Sequence, residues 1–110
     1  MPVDPEMTDL RTETKLSLVS SRSTPVLEWS DAKGAHRFAV ATRTLGGSSE
    51  KSPLRIFDKQ VSRTHLELEP REDGLWVRDL GSLNGTFIGD TKVERARVPE
   101  GGTIGAGAVQ

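Results

Sequence analysis

His65-Leu-Glu-Leu-Glu-Pro-Arg-Glu-Asp-Gly-Leu-Trp-Val-Arg-Asp79 is the stretch on which the fold turns. His65–Glu69 alternates apolar and polar residues at period two, which sends successive side chains to opposite faces of a strand. Residues 70–74, ending in Asp73-Gly74, turn the chain, and Leu75–Asp79 runs back. The same grammar continues in both directions. Towards the C-terminus come Thr86-Phe-Ile88, a turn at Gly89-Asp90, Lys92-Val93, a turn over residues 99–102, and Thr103-Ile104. Towards the N-terminus, Val26, Leu27 and Trp29 form a short apolar run, Asp31-Ala-Lys-Gly34 a turn, and His36–Thr42 a return strand with Phe38 and Val40 on one face. Arg43–Leu45 reads as a further strand broken by Gly46-Gly47-Ser48-Ser49, and Leu54–Phe57 is short and apolar. Short strands every 8–12 residues and no helical stripe imply an all-β sandwich or barrel.

At 110 residues the chain is long enough for one domain. Residues 1–14 are acidic, carry two prolines and show little periodicity, and Ser20–Thr24 reads as a linker. A flexible N-terminal arm over residues 1–23 and a β-sandwich over residues 24–110 are therefore expected. Gly105-Ala-Gly-Ala-Val-Gln110 reads as the entry to another strand, so a truncated last strand, an open sheet edge and further domains beyond Gln110 are expected as well.

Composition removes several function classes. There is no cysteine, which excludes disulfides, thiol catalysis and cysteine-ligated metal. No apolar run approaches the length of a membrane span, and the N-terminus is unlike a signal peptide, so a cytoplasmic module without membrane contact is expected. Fifteen basic and sixteen acidic residues give a net charge of −1, against the strongly basic balance of a nucleic-acid binder, so no direct nucleic-acid contact is expected. The charge is uneven, however. Residues 43–63 carry five basic groups (Arg43, Lys51, Arg55, Lys59, Arg63) against Glu50 and Asp58. Such a segment either holds an anion or merely solubilises two loops.

Chemistry concentrates in Ser62-Arg63-Thr64-His65 and, about twenty residues later, Asp79-Leu-Gly-Ser-Leu-Asn-Gly-Thr-Phe87. Ser62 offers a hydroxyl, Arg63 a planar fork of donors, and Asn84 an amide that donates and accepts. All lie at strand ends, where they can meet on one edge of a sandwich, and a phosphate monoester is the ligand that best matches them together. A hydrolase pair of Ser62 and His65 would lack both a G-x-S-x-G elbow and an orienting acid, so no catalytic residue is expected. His65 opens an alternating strand, where a structural imidazole bridging the Ser62 loop is the better reading. With His36 the only other histidine, neither a metal nor another cofactor is expected.

Val61-Ser-Arg-Thr-His65 and Asp79–Phe87, in that order and spacing, resemble the forkhead-associated (FHA) family, and residues 101–107 match its ending in part. The resemblance covers roughly residues 25–110. It implies an eleven-stranded β-sandwich that binds phosphothreonine-containing proteins or peptides through loops at one end. Carried over by position, Ser62 is similar to the phosphate-binding serine, and Arg63 to the loop residue that touches phosphate or peptide backbone. Asn84 is similar to the clamp on the peptide main chain, with Leu83 beside it, while Gly46, His65 and Gly85 correspond to architectural positions. The chain departs from the pattern at Gly47, where the family's usual phosphate-binding arginine would stand; Arg43, Lys51 and Arg55 are candidate replacements. That departure leaves a second expectation open, a phosphate-independent docking or autoregulatory module. The style of the motifs resembles bacterial members, including N-terminal sensor domains of sigma-54-dependent transcriptional activators.

Overall fold

A computed structural model describes residues 14–20 and 23–107. Eleven strands and no helices among them form two packed sheets. The strands are β1 (Thr14–Ser20), β2 (Val26–Asp31), β3 (Gly34–Ala39), β4 (Thr44–Gly47), β5 (Leu54–Arg55), β6 (Leu66–Arg71), β7 (Gly74–Asp79), β8 (Thr86–Ile88), β9 (Thr91–Val93), β10 (Arg95–Val98) and β11 (Thr103–Ala106). One sheet runs β3-β2-β1-β11-β8-β9, the other β10-β7-β6-β4-β5. All pairings are antiparallel except that of β4 with β5. This is the all-β sandwich expected from the period-two runs.

Alternation sets which face is buried. Leu66 and Leu68 on β6 and Leu75 and Val77 on β7 point inward with no exposed surface, while Glu67, Glu69, Trp76 and Arg78 line the opposite face. Leu16, Leu27 and Ile104 close the core from the other sheet, also fully buried. Each such leucine or isoleucine contributes roughly 1.5–3 kcal/mol of apolar burial.

Several local expectations are corrected. Thr14–Ser20 is not part of an arm: it pairs with β11 on one side and β2 on the other, and Leu16 and Leu18 enter the core. Residues 1–13 of the expected arm lie outside the described residues. Gly46 and Gly47 do not break a strand but end β4, paired with Leu54 and Arg55. Pro70 and Arg71 belong to β6, leaving Glu72-Asp73 as the turn. Arg95–Val98, where no strand was anticipated, pairs along its whole length with β7. Finally, β11 is an inner strand between β1 and β8, so the sheet edges are β3 and β9 rather than the last strand; residues 108–110 lie outside the described residues.

Candidate functional site

The end of β4, the starts of β6 and β8 and the end of β7 lie at one end of the sandwich, because β4 pairs with β6, β6 with β7, and Leu66 stands opposite Asp79. Three loops therefore converge there, spanning residues 48–53, 56–65 and 80–85. Backbone bonds stitch them together. Ser48 N donates to Ser62 O (3.0 Å), Ser49 N to Arg63 O (3.2 Å), His65 N to Gly46 O (2.9 Å) and Leu80 N to His65 O (2.9 Å). The approach is so close that a Cβ on Gly47 would stand 2.1 Å from the Arg63 carbonyl oxygen and 2.8 Å from that of Ser62. Glycine is thus required at 47 by the neighbouring backbone, at the position that corresponds to the usual phosphate-binding arginine of the resemblance.

His65 joins the second and third loops from beneath. Its ring is fully buried; Nδ1 accepts the Ser62 backbone N–H (3.0 Å), which leaves Nε2 protonated to donate to Gly85 O (2.7 Å). Burial pushes the imidazole below its usual range, outweighing the opposing pull of the Gly85 carbonyl and of the Asp79 and Asp58 charges. Both nitrogens are engaged, and the serine atom in contact is the backbone nitrogen rather than the hydroxyl. His65 therefore does not act as a base on Ser62. Gly85 is buried with φ of +96°, a conformation open to glycine, and a Cβ there would crowd Lys92.

Above this support stand the side chains aimed outward. Ser62 Oγ accepts Leu83 N–H (3.0 Å), which orients the hydroxyl and leaves its hydrogen free to donate to a ligand. Leu83 itself is 87% exposed, the most exposed large hydrophobic of the described residues. Asn84 Nδ2 donates to Gln60 O (2.8 Å), tying the third loop to the second. The exposed Arg63 reaches across the first loop with Nη2 3.5 Å from Ser49 Oγ, and its carbonyl accepts the Ser52 hydroxyl (3.2 Å). The structure thus brings Ser62, Arg63, Leu83 and Asn84 to neighbouring loop tips, with Gly46, His65 and Gly85 beneath them.

Two carboxylates that sequence reasoning left unassigned hold the loops in shape. Asp79 accepts backbone N–H groups of Gly81 (3.0 Å) and Ser82 (3.1 Å) together with the hydroxyls of Ser82 and Thr86 (2.7 Å to the latter). Burial opposes its ionisation, but these bonds prevail and hold its pKa below the ordinary value. The D-L-G-S spacing was the available signal, since an aspartate commonly caps the turn that follows it. Asp31, with a fully buried carboxylate, accepts from Lys33 N (2.9 Å), His36 Nε2 (2.8 Å), Phe57 N (2.9 Å) and Trp29 Nε1 (3.2 Å). It pins the β2–β3 turn to the segment that leads to Ser62, a link across 26 residues that carries no local signature. Gln60, Ser49 and Ser52 were missed for the same reason.

Of the arginine replacements, Arg43 is turned away, 3.4 Å from Glu67 on the outer face of the five-stranded sheet. Arg55 stands directly opposite Gly47 in the β4–β5 pair, with its guanidinium 4.4 Å from the Phe57 ring centroid and Nε on Ser48 O (3.3 Å). Lys51 is exposed within the first loop. Among the described residues, Arg63 and Arg55 are therefore the arginines in contact with the residue 48–52 loop. Among the described residues no cluster of His, Asp and Glu is arranged to hold a metal ion.

The match to the family model of the FHA domain extends over residues 44–107, from β4 through β11 and all three loops. The chain belongs to the FHA family. Over 64 residues it is 39% identical to the FHA domain-containing protein FhaB of Mycolicibacterium smegmatis and to that of Mycobacterium tuberculosis. That match takes in 57% of this chain and 41% of each relative, so the chain spans well under half the length of these curated proteins. Among solved structures, the FhaA FHA domain complexed with the intracellular domain of Rv3910 superposes with a TM-score of 0.65 at 23% identity, over 86% of this chain and 91% of that one. A structure from work on phosphothreonine-dependent FHA domain interactions gives 0.61 at 21% identity, over 90% and 98%. At these identities the likeness establishes the FHA fold.

Proposed function

We propose that this FHA domain binds a phosphothreonine-containing segment of a partner protein at its loop end and serves as the sensing module of a signalling protein. The observation that carries the reading is the Ser62 hydroxyl, fixed by the Leu83 N–H with its own hydrogen free, next in sequence to the exposed Arg63, whose guanidinium reaches the first loop. A hydroxyl and a guanidinium supply charge-assisted bonds to a phosphate monoester, which carries about −1.5 to −2 charge. Arg63, whose Nη2 reaches Ser49 Oγ over the first loop, takes on the part of the missing arginine, with Arg55 bonded to the same loop at Ser48 O. Asn84 and the exposed Leu83 beside it on the third loop face the peptide chain. Family membership and the phosphothreonine-dependent interactions named for a structural neighbour support the same ligand class. Its placement as the cytoplasmic sensor of a bacterial transcription regulator, tethered to further domains, rests on resemblance alone.

A second reading is phosphate-independent docking through the same loops. It draws support from Gly47, whose site is filled by the Arg63 backbone rather than by a cationic side chain.

Titration against a degenerate phosphothreonine peptide library separates the two. The phosphorylated peptide should bind and its plain twin should not. Ser62→Ala and Arg63→Ala should each remove about 1.5–3 kcal/mol, roughly 10- to 150-fold in affinity. Arg63→Lys should recover only part of that loss, because an ammonium keeps the charge but not the planar fork. Equal affinity for both peptides would establish the docking reading instead.

A further inference from the structure

The outer face of the five-stranded sheet has no part in the loop site, and its composition is distinctive. Cross-strand register places Leu45, Glu67, Arg78 and Arg95 in one row, and Glu69, Trp76 and Arg97 in the next. Arg43 and Arg71 flank these rows, so five of the chain's ten arginines and none of its lysines share this face. Arg71 and Arg95 both lie over the Trp76 ring, 4.8 and 5.6 Å from its centroid. Arg43 and Arg78 share Glu67 (3.4 and 3.5 Å), and Arg71 pairs with Glu69 (2.8 Å). At the rim, Trp76 Nε1 donates to Asp73 Oδ1 (2.9 Å). Five cations therefore face three carboxylates. No carboxylate stands within ion-pair distance of Arg95 or Arg97 among the described residues. Arg78 and Arg95 stand directly opposite each other, an arrangement of like charges that weakens a sheet. The rows border a hollow of about 200 Å³.

We infer that this face is a second binding surface, and that its occupant is an acidic, carboxylate-rich segment of a partner polypeptide. Arginine in preference to lysine suits bidentate capture of carboxylates and stacking on a flat group, and Trp76, in contact with the Arg71 and Arg95 guanidinium groups, supplies an amphipathic anchor. Exposed Leu45 adds an apolar contact at the other end of the row. Glu67 and Glu69 run along β6 through the middle of the face, where the continuous phosphates of a nucleic acid would have to cross them. A peptide with spaced carboxylates can place its own charges on Arg78, Arg95 and Arg97 and step over the glutamates.

The test is a fluorescence titration of the full chain at low salt, reading Trp76 with a Trp76→Phe variant to subtract the buried Trp29. Deca-glutamate is the probe, deca-lysine the control and a ten-nucleotide oligouridylate the nucleic-acid arm. Deca-glutamate should give a saturable change that salt weakens. Arg95→Glu with Arg97→Glu should weaken it by about tenfold, from two lost attractions and two new repulsions at exposed positions. Ser62→Ala should leave it unchanged, which keeps this surface separable from the phosphothreonine site. A milder triple variant, Arg78→Lys with Arg95→Lys and Arg97→Lys, should bind several-fold more weakly than the parent while retaining its unfolding midpoint. Absence of a saturable change, full binding by the glutamate variant, or tighter binding of oligouridylate than of deca-glutamate would each overturn the inference.

Discussion

Gly47→Ala is the most searching perturbation, because it adds one methyl group where the loops are closest. Its Cβ would stand 2.1 Å from the Arg63 carbonyl oxygen, and real contacts of this kind do not fall below 3.0 Å. Residues 62–63 must therefore retreat by about 0.9 Å or more. That carbonyl accepts Ser49 N and Ser52 Oγ, both at 3.2 Å, and the Ser62 carbonyl accepts Ser48 N at 3.0 Å. A retreat of that size takes all three beyond hydrogen-bond range, at about 0.5–1.5 kcal/mol each. The expected loss is about 2–4 kcal/mol, and phosphopeptide affinity should fall with it, since Ser62 and Arg63 move together. Gly101→Ala is the matched control: its φ of +73° penalises alanine, but nothing lies within 4 Å, and the β10–β11 turn sits at the far end of β11 from Thr86 and the loops, so it should cost stability without a selective loss of binding. Urea denaturation and peptide titration of both variants read the two effects. A Gly47→Ala protein within about 0.5 kcal/mol of the parent, binding normally, would refute the close approach. Gly47→Arg sharpens the point, because restoring the family's usual residue should lower stability and fail to raise affinity.

The remaining predictions address the residues beneath the loops. The His65 imidazole titrates below its usual 6.5 in the folded state, so the unfolded chain takes up the proton first; stability should be full above pH 6.5 and decline as pH falls below it, read as the urea midpoint between pH 7.5 and 5.5. A flat profile would show that the ring is not held neutral. Asp79 and Asp31 are both held below their ordinary 3.8, so their contributions should persist to lower pH and disappear only as the solution is acidified beyond that value. Asp31→Asn should cost about 2–4 kcal/mol, since an amide group would face donors that the carboxylate now accepts; thermal unfolding measures it, and a neutral result would refute the pinning role. Asn84→Ala should cost about 1 kcal/mol of stability, from the exposed Nδ2 bonds to Gln60 O and Oε1, while weakening peptide binding further than stability alone explains.

The β2–β3 hairpin, the β6–β7 pair and the β8 strand were legible because each declares itself locally, through alternation bounded by a turn. The strands that escaped reading lack that local declaration. β10 has only Ala96 and Val98 as inward residues, alternating with Arg95 and Arg97, and β1 mixes Leu16 and Leu18 with Lys15 and Ser17 beside an acidic segment. What makes β1 a strand is pairing with β11, nearly ninety residues away, and with β2. A polar segment of this kind becomes a strand once neighbours accept its backbone bonds, whatever its own propensity.

By itself the sequence determined the fold class, the family motifs and the residue types that meet at the loop end, because period-two burial, Asn-Gly turns and short motifs are properties of neighbours along the chain. Only the tertiary structure decided how those residues are used. It turned Arg43 to the outer face and set Arg55 opposite Gly47, gave the Ser62 hydroxyl to Leu83 and its backbone N–H to His65, and engaged Asn84 with Gln60. It also changed the meaning of Gly47, which reads in sequence as a lost arginine and in space as room for the Arg63 carbonyl. The physical reason is range: hydrogen bonds and steric contacts act over a few ångströms, and the bonds that join one loop of this site to another link residues 11 to 24 positions apart along the chain.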